Sequence, residues 1–224
     1  MTKSELKELN KKWDYQNNLF LELDDSDENI KKLSAFYSMI KDLEIAQSSL
    51  KKLIEILLKS DFDKNTKDYR LIKHDDENVI IQRALFFSIL VTFSKCFSQS
   101  KGRIRLDKRI ISNMLTDEEK EKFYSIFKVR NEFIAHGGIS DEEIIYSIIF
   151  FKHNTAGVTC RYFSSFGWTK EAYMILEQII NKTHSFVNEE YLKVHQLIIS
   201  KIKPLTKNLL VQAKKEKQRY MEDK

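Results

Sequence analysis

One proline, Pro204, and five glycines are the only residues of their kind in a chain of 224. Proline fixes φ and lacks an amide donor, and glycine supplies the left-handed backbone of tight turns, so a fold of many short strands needs both in quantity. With so few of them, and with Leu, Ile, Phe, Lys and Glu recurring at helical spacing, the chain is predicted to be mostly α. A hydrophobic content of 42% and an aromatic content of 12% supply one sizeable core at this length, short of two full domains. A single domain over residues 1–224 is expected.

Along the chain, Leu6, Leu9, Trp13 and Phe20 recur near helical spacing, and Asp24-Asp25-Ser26-Asp27-Glu28 marks a break and a new helix start. The stripe Ile30, Leu33, Phe36, Tyr37, Ile40, Leu43, Ala46, Leu50, Leu53, Ile54, Leu57 predicts a long helix laid along a bundle, closed by the polar stretch Ser60 to Asp68. Asp75-Asp76-Glu77-Asn78 opens the next helix, Val79 to Phe97, whose apolar residues on nearly all sides predict a central buried element. Ser100 to Arg109 is a loop dense in positive charge, either solvated or laid against phosphates.

Thr116 followed by Glu119 is a capping box, so a helix is expected from there through Phe123, Phe127 and Arg130 to His136, stopped by Gly137-Gly138. Glu143 to Phe151 and Val158 to Phe166, rich in β-branched and aromatic residues, flank the turn-like Asn154-Thr155-Ala156-Gly157 and predict a β-hairpin. Helical spacing returns from Lys170 to Ile202, Pro204 marks a break or kink, and Leu205 to Lys224 reads as a Lys-rich helix or frayed tail. The expected organisation is a helical core over 28–136, a hairpin over 143–166 and C-terminal helices over 169–224.

Several function classes recede on these grounds. The N-terminus Met1 to Lys7 lacks the apolar stretch of a secretory signal, and the longest apolar run, Ala84 to Phe93, is too short to span a bilayer; a cytoplasmic protein without a membrane partner is expected. Cys96 and Cys160 lie far apart and read as reduced, buried thiols, and His74, His153, His184 and His195 share no metal-ligand spacing. Neither a metal nor another cofactor is expected. A net charge of +5 favours a polyanionic partner without reaching the density of a DNA-coating protein. No short helix-turn-helix unit with a basic recognition helix stands out, which disfavours a DNA-binding regulator.

The residues that suggest chemistry are Arg130-Asn131-Glu132-Phe133-Ile134-Ala135-His136. They set a permanent cation, an amide and a titratable imidazole within two helical turns. On a helix, six positions amount to a rise of about 9 Å and an offset of about 120°, so Arg130 and His136 flank a common target only because Arg is long and His136 sits at the helix end. A phosphodiester attacked by its own 2'-hydroxyl needs a proton acceptor, a proton donor for the leaving oxygen and a cation for the phosphate, and imidazole with guanidinium supplies these without a metal. One chain offers one such histidine in this segment, so two copies meeting across a two-fold axis would supply both acid and base, and a homodimer is predicted. The other reading of His136 is a helix-terminal histidine held by the helix dipole.

Arg130, the polar Asn131 and His136 at this spacing, late in a helix of a small α-bundle, resemble the signature of the HEPN superfamily. More narrowly, Phe133-Ile134-Ala135-His136 after Arg130-Asn131, preceded by the helix bearing Arg83-Ala84-Leu85-Phe86-Phe87, resembles the AbiU-type group of phage abortive-infection HEPN proteins, over roughly residues 78–151. The resemblance implies a HEPN-type bundle that dimerises through its motif helix. In active members it implies a metal-independent endoribonuclease acting as a toxin or phage-defence effector; in inactive ones, a dimerisation or nucleotide- and partner-binding module, with an antitoxin or defence protein as partner. Carried over, Arg130 contacts the scissile phosphate, His136 serves in proton transfer and Asn131 orients one of them. Arg83 is a further phosphate ligand or else a structural ion-pair member, and Lys101, Arg103 and Arg105 of the basic loop are candidate RNA contacts. The aromatic stretch Tyr162 to Trp168 either stacks bases or packs the hairpin, and packing is favoured.

Overall fold

The structure, a computed structural model, describes residues 2, 4–10, 21–23, 26–59, 77–99, 104–131, 143–152, 155–164, 168 and 170–222, the two strands and positions 59, 78, 79 and 170 by their backbone alone. The described residues are mostly helical. Helix α1 covers residues 4–10. It is followed by α2 (Glu28–Lys59), α3 (Glu77–Lys95), the short α4 (Lys108–Ser112) and α5 (Asp117–Val129). Strands β1 (Glu143–Lys152) and β2 (Thr155–Ser164) precede α6 (Lys170–Ile202) and, after a 3-10 turn at Lys203–Leu205, α7 (Thr206–Glu222).

Local chemistry sets the helix starts. Asp27 Oδ1 accepts from the Asn29 amide at 2.7 Å and the Ile30 amide at 3.4 Å, capping α2. At α5, Thr116 Oγ1 accepts from the Glu119 amide at 3.3 Å while Glu119 Oε2 accepts from the Thr116 amide at 2.7 Å, the reciprocal capping box that the sequence predicts. Pro204 stands in the first turn of the 3-10 segment, where a missing amide hydrogen leaves no bond unmade, and it separates α6 from α7.

By contacts the chain divides into two compact units, residues 1–36 with 189–224, and residues 37–188. The larger unit is a helix bundle. Lys95 of α3 donates to Asp42 of α2 at 2.7 Å, and the hydroxyls of Ser49 and Ser88 join the same two helices. Lys182 of α6 binds both carboxylate oxygens of Glu119 of α5 at 2.7 Å, and Gln47 of α2 donates to Asn181 of α6 at 2.9 Å. Phe93 of α3 and Phe97 in the turn just after it meet Phe123 and Phe127 of α5, with Phe97 5.3 Å from each of the latter two rings, edge to face. The contacts thus run α2 to α3 to α5 to α6 and back to α2. Met39, Leu43, Leu50, Ile89, Leu90, Phe93, Phe123, Ile126, Leu176 and Ile179 fill the space between and are fully buried. Each such side chain contributes about 2 kcal/mol by leaving water, and the edge-to-face pairs add about 1 kcal/mol apiece.

Helix α3 is less enclosed than its composition predicts. Its Phe86, Ile89, Leu90 and Phe93 face is buried, but Ile80 is 56% exposed, Val91 37%, and Ala84 between them is exposed too. Positions 80, 84 and 91 form one line on the helix, so the all-round apolar pattern reflects one packed face and one solvent-facing apolar line. In the smaller unit, Lys7 pairs with Glu22 at 2.5 Å, Ile198 and Ala213 are buried, and Tyr191 stacks on His195.

The strands pair antiparallel from Glu143 with Ser164 to Lys152 with Thr155. The sequence places the connecting turn at Asn154 to Gly157, yet Thr155, Ala156 and Gly157 pair with Lys152, Phe151 and Phe150. The β-branched Thr155 and the small residues after it extend the ladder, because an antiparallel pair can close with a two-residue connection. No helix among the described residues is long and apolar enough to cross a membrane.

Candidate functional site

The C-terminal end of α5 and the connector that folds back beside it carry the described site. The Leu106 amide donates to the Cys96 carbonyl at 2.8 Å, which returns the chain to the end of α3. Asp107 then caps α4, its Oδ1 accepting from the Arg109 amide at 2.9 Å. The sequence reading treats Ser100 to Arg109 as loop throughout; the turn of helix that begins at Lys108 corrects it. Arg109 is bound to Asp107 at 2.8 Å, and that hydrogen bond holds the Asp107 carboxyl below its ordinary range.

Lys108 turns inward. Its Nζ stands 3.5 Å from the centre of the Phe127 ring, and the side chain is half-buried. Burial pushes the Lys108 ammonium below the ordinary lysine value, and the charge of Arg130 pushes it the same way.

Arg130 closes α5 with αR backbone angles of −60° and −43°, and its amide bonds back to the carbonyls of Ile126 and Phe127. At Arg130 and Asn131 the helix widens to a π-type turn, a departure common at functional sites. Arg130 is half-buried and donates from one guanidinium nitrogen to Asn131 Oδ1 at 2.9 Å; Asn131 is exposed. The amide oxygen so oriented fixes the fork of the guanidinium without neutralising it.

His136, Lys101 and Arg103 lie outside the described residues, as do His74 and His153. Arg105 is exposed on the connector, near enough to Asp107 to help lower its carboxyl. Arg83 lies on α3 with its guanidinium 5.5 Å from the Phe87 ring, three residues before Phe86, whose ring meets Trp168. Arg130 is at the other end, one turn past Phe127, which packs on Phe97. From Arg83 to Phe93, which also packs on Phe127, is a rise of about 15 Å along α3, so the two arginines stand toward opposite ends of that helix.

At the Phe86 end, Trp168 meets Phe86 edge to face at 5.4 Å and takes the Lys122 ammonium 4.1 Å above its ring. Burial lowers the pKa of Lys122. This is packing for Trp168, the reading favoured from sequence for the aromatic stretch that it ends. Cys96 is buried, and His184 is half-buried on α6. Among the described residues no group of His, Cys, Asp or Glu could hold a metal ion. A cleft between α2 and α6, lined by Gln47, Ser48, Lys51, Glu177 and Asn181, contains no histidine.

Comparison with protein-family models, with curated proteins and with solved structures finds no match. The chemistry at the end of α5 is therefore read from its own residues. Lys108, resting on the Phe127 ring, and Arg130, whose charge acts on it, put two cations at this end of α5.

Proposed function

We propose that this chain is a HEPN-type, metal-independent endoribonuclease that works as a toxin or phage-defence effector. In the reaction, the 2'-oxygen of a nucleotide forms a bond to the adjacent phosphorus as the bond to the 5'-oxygen of the next nucleotide breaks, leaving a cyclic phosphate. A base takes the 2'-hydroxyl proton, an acid delivers a proton to the departing 5'-oxygen, and a cation stabilises the charge gathered on the phosphate. His136 serves in proton transfer, Arg130 stabilises the phosphate and Asn131 orients Arg130. A second copy of the chain supplies the second imidazole.

The observation that carries this reading is the Arg130 to Asn131 hydrogen bond of 2.9 Å at the very end of α5, five residues ahead of His136. A cation that is always charged, already oriented by a neutral amide and set in a basic neighbourhood, is what a phosphate-directed site requires.

The test is degradation of mixed RNA by the purified protein in EDTA. The wild type is expected to cleave and to leave cyclic phosphate ends. His136→Ala and Arg130→Ala are each expected to lose at least about a hundredfold, the size of a removed acid or base or of a removed charge-stabilising donor. Equal cleavage by wild type and His136→Ala removes His136 from the mechanism. No cleavage by any of the three proteins assigns the chain to the non-catalytic, partner-binding kind of HEPN module.

A further inference from the structure

We infer that Lys108 and Arg130 form one anion-binding unit that takes a phosphate group, with Lys108 as a ligand that the sequence signature does not include. Phe127 and Arg130 are one helical turn apart and so lie on the same side of α5. Lys108 reaches that side from α4 and rests its ammonium 3.5 Å from the Phe127 ring. Both side chains are half-buried. Lys108 thus sits on the aromatic ring, and Arg130, one turn further along α5, is near enough for its charge to act on the Lys108 ammonium.

What sets this pair apart is that two cations stand near one another without a counter-charge. Several cations of the same unit are matched, Lys95 with Asp42, Lys182 with Glu119 and Arg109 with Asp107, and Lys122, half-buried and in no ion pair among the described residues, rests alone on Trp168. Among the described residues no carboxylate pairs with Lys108 or Arg130, and the one polar partner of Arg130 is the neutral Asn131. Two like charges brought together and partly withdrawn from water repel, and an anion between them removes that cost. The lowered pKa of Lys108, from burial first and Arg130 second, agrees with that arrangement. A planar donor fork on one side and a compact ammonium on the other suit a group with several oxygens spread around one centre, hence phosphate.

The inference rests on the proposed function only in treating Arg130 as a phosphate ligand, and binding separates the two. Two probes are titrated into the full-length protein: pyrophosphate, followed calorimetrically, and a short 2'-O-methyl oligoribonucleotide that cannot be cleaved, followed by fluorescence anisotropy. Lys108→Ala and Lys108→Met are each expected to weaken binding about tenfold, the loss of one charge-assisted contact. The slope of affinity against salt for the oligonucleotide should fall by about one. Lys108→Met keeps the apolar stem over Phe127, so a loss common to both variants belongs to the charge. Lys108→Arg should retain binding within about threefold, and Lys128→Ala, at an exposed lysine of α5, should leave both probes near wild type. Pyrophosphate binding that depends on Lys108, with no oligonucleotide binding, upholds the anion site and removes RNA as its ligand. Wild type that binds neither probe, or Lys108 variants indistinguishable from Lys128→Ala, overturns the inference.

Discussion

Ser94 illustrates how a single side chain sits at odds with its surroundings. It lies on α3 at 1% exposure, and its hydroxyl finds no hydrogen-bond partner. A buried hydroxyl without a partner costs about 1 kcal/mol or more, so Ser94→Ala should stabilise the protein by about 1 kcal/mol in urea unfolding. A loss of that size instead would mean that the hydroxyl is satisfied. The same scale shows what the sequence could and could not reveal about the site. Arg130 and Asn131 were legible because their hydrogen bond joins neighbours in the chain. Lys108 was not, because its place over Phe127 depends on the Leu106 amide bonding to Cys96 across a turn. The available signal was Asp107, a capping residue directly ahead of Lys108-Arg109-Ile110-Ile111, hidden among the surrounding basic residues.

Among the elements, α5 was the most readable from sequence, since Thr116 and Glu119 announce its start by local chemistry alone. What they do not announce is Lys182, sixty-three positions away, which makes the capping carboxylate also the tie to α6. Burial pushes the Glu119 carboxyl up, but hydrogen bonds from Lys182 and the Thr116 amide outweigh it and hold the group below its ordinary value of 4.5. A carboxylate lowered by folding contributes stability that is complete above 4.5 and disappears as pH falls through the depressed folded value. The melting temperature should therefore drop below that pH more steeply for wild type than for Glu119→Gln. At neutral pH Glu119→Ala should cost about 2 kcal/mol by losing the cap and stranding Lys182. Parallel slopes of melting temperature against pH would dissociate Glu119 from the acid response. The mostly α class, the long helices α2 and α6 and the break at Pro204 were all readable from periodicity. The exposed line of α3 was not, because apolar composition reports how much surface can be buried and not which neighbours arrive to bury it.

The molecule as a whole gathers by contacts into two compact units, with α2 and α6 each contributing residues to both. Oligomeric state decides the proposed reaction. If two copies share the cleavage site, specific ribonuclease activity should fall as the protein is diluted through its dimer dissociation constant, in step with the monomer fraction from analytical ultracentrifugation. Constant specific activity across that range would place acid and base in one chain. Trp168, wedged among Phe86, Tyr173 and the Lys122 ammonium, bears on how such experiments can be followed. The chain has two tryptophans, Trp13 and Trp168, and Trp168 belongs to the larger unit. Removing Trp13 leaves a lone indole emitter reporting from inside the bundle, so the melting of one body can be watched optically without a dye and compared with the circular dichroism of all the helices.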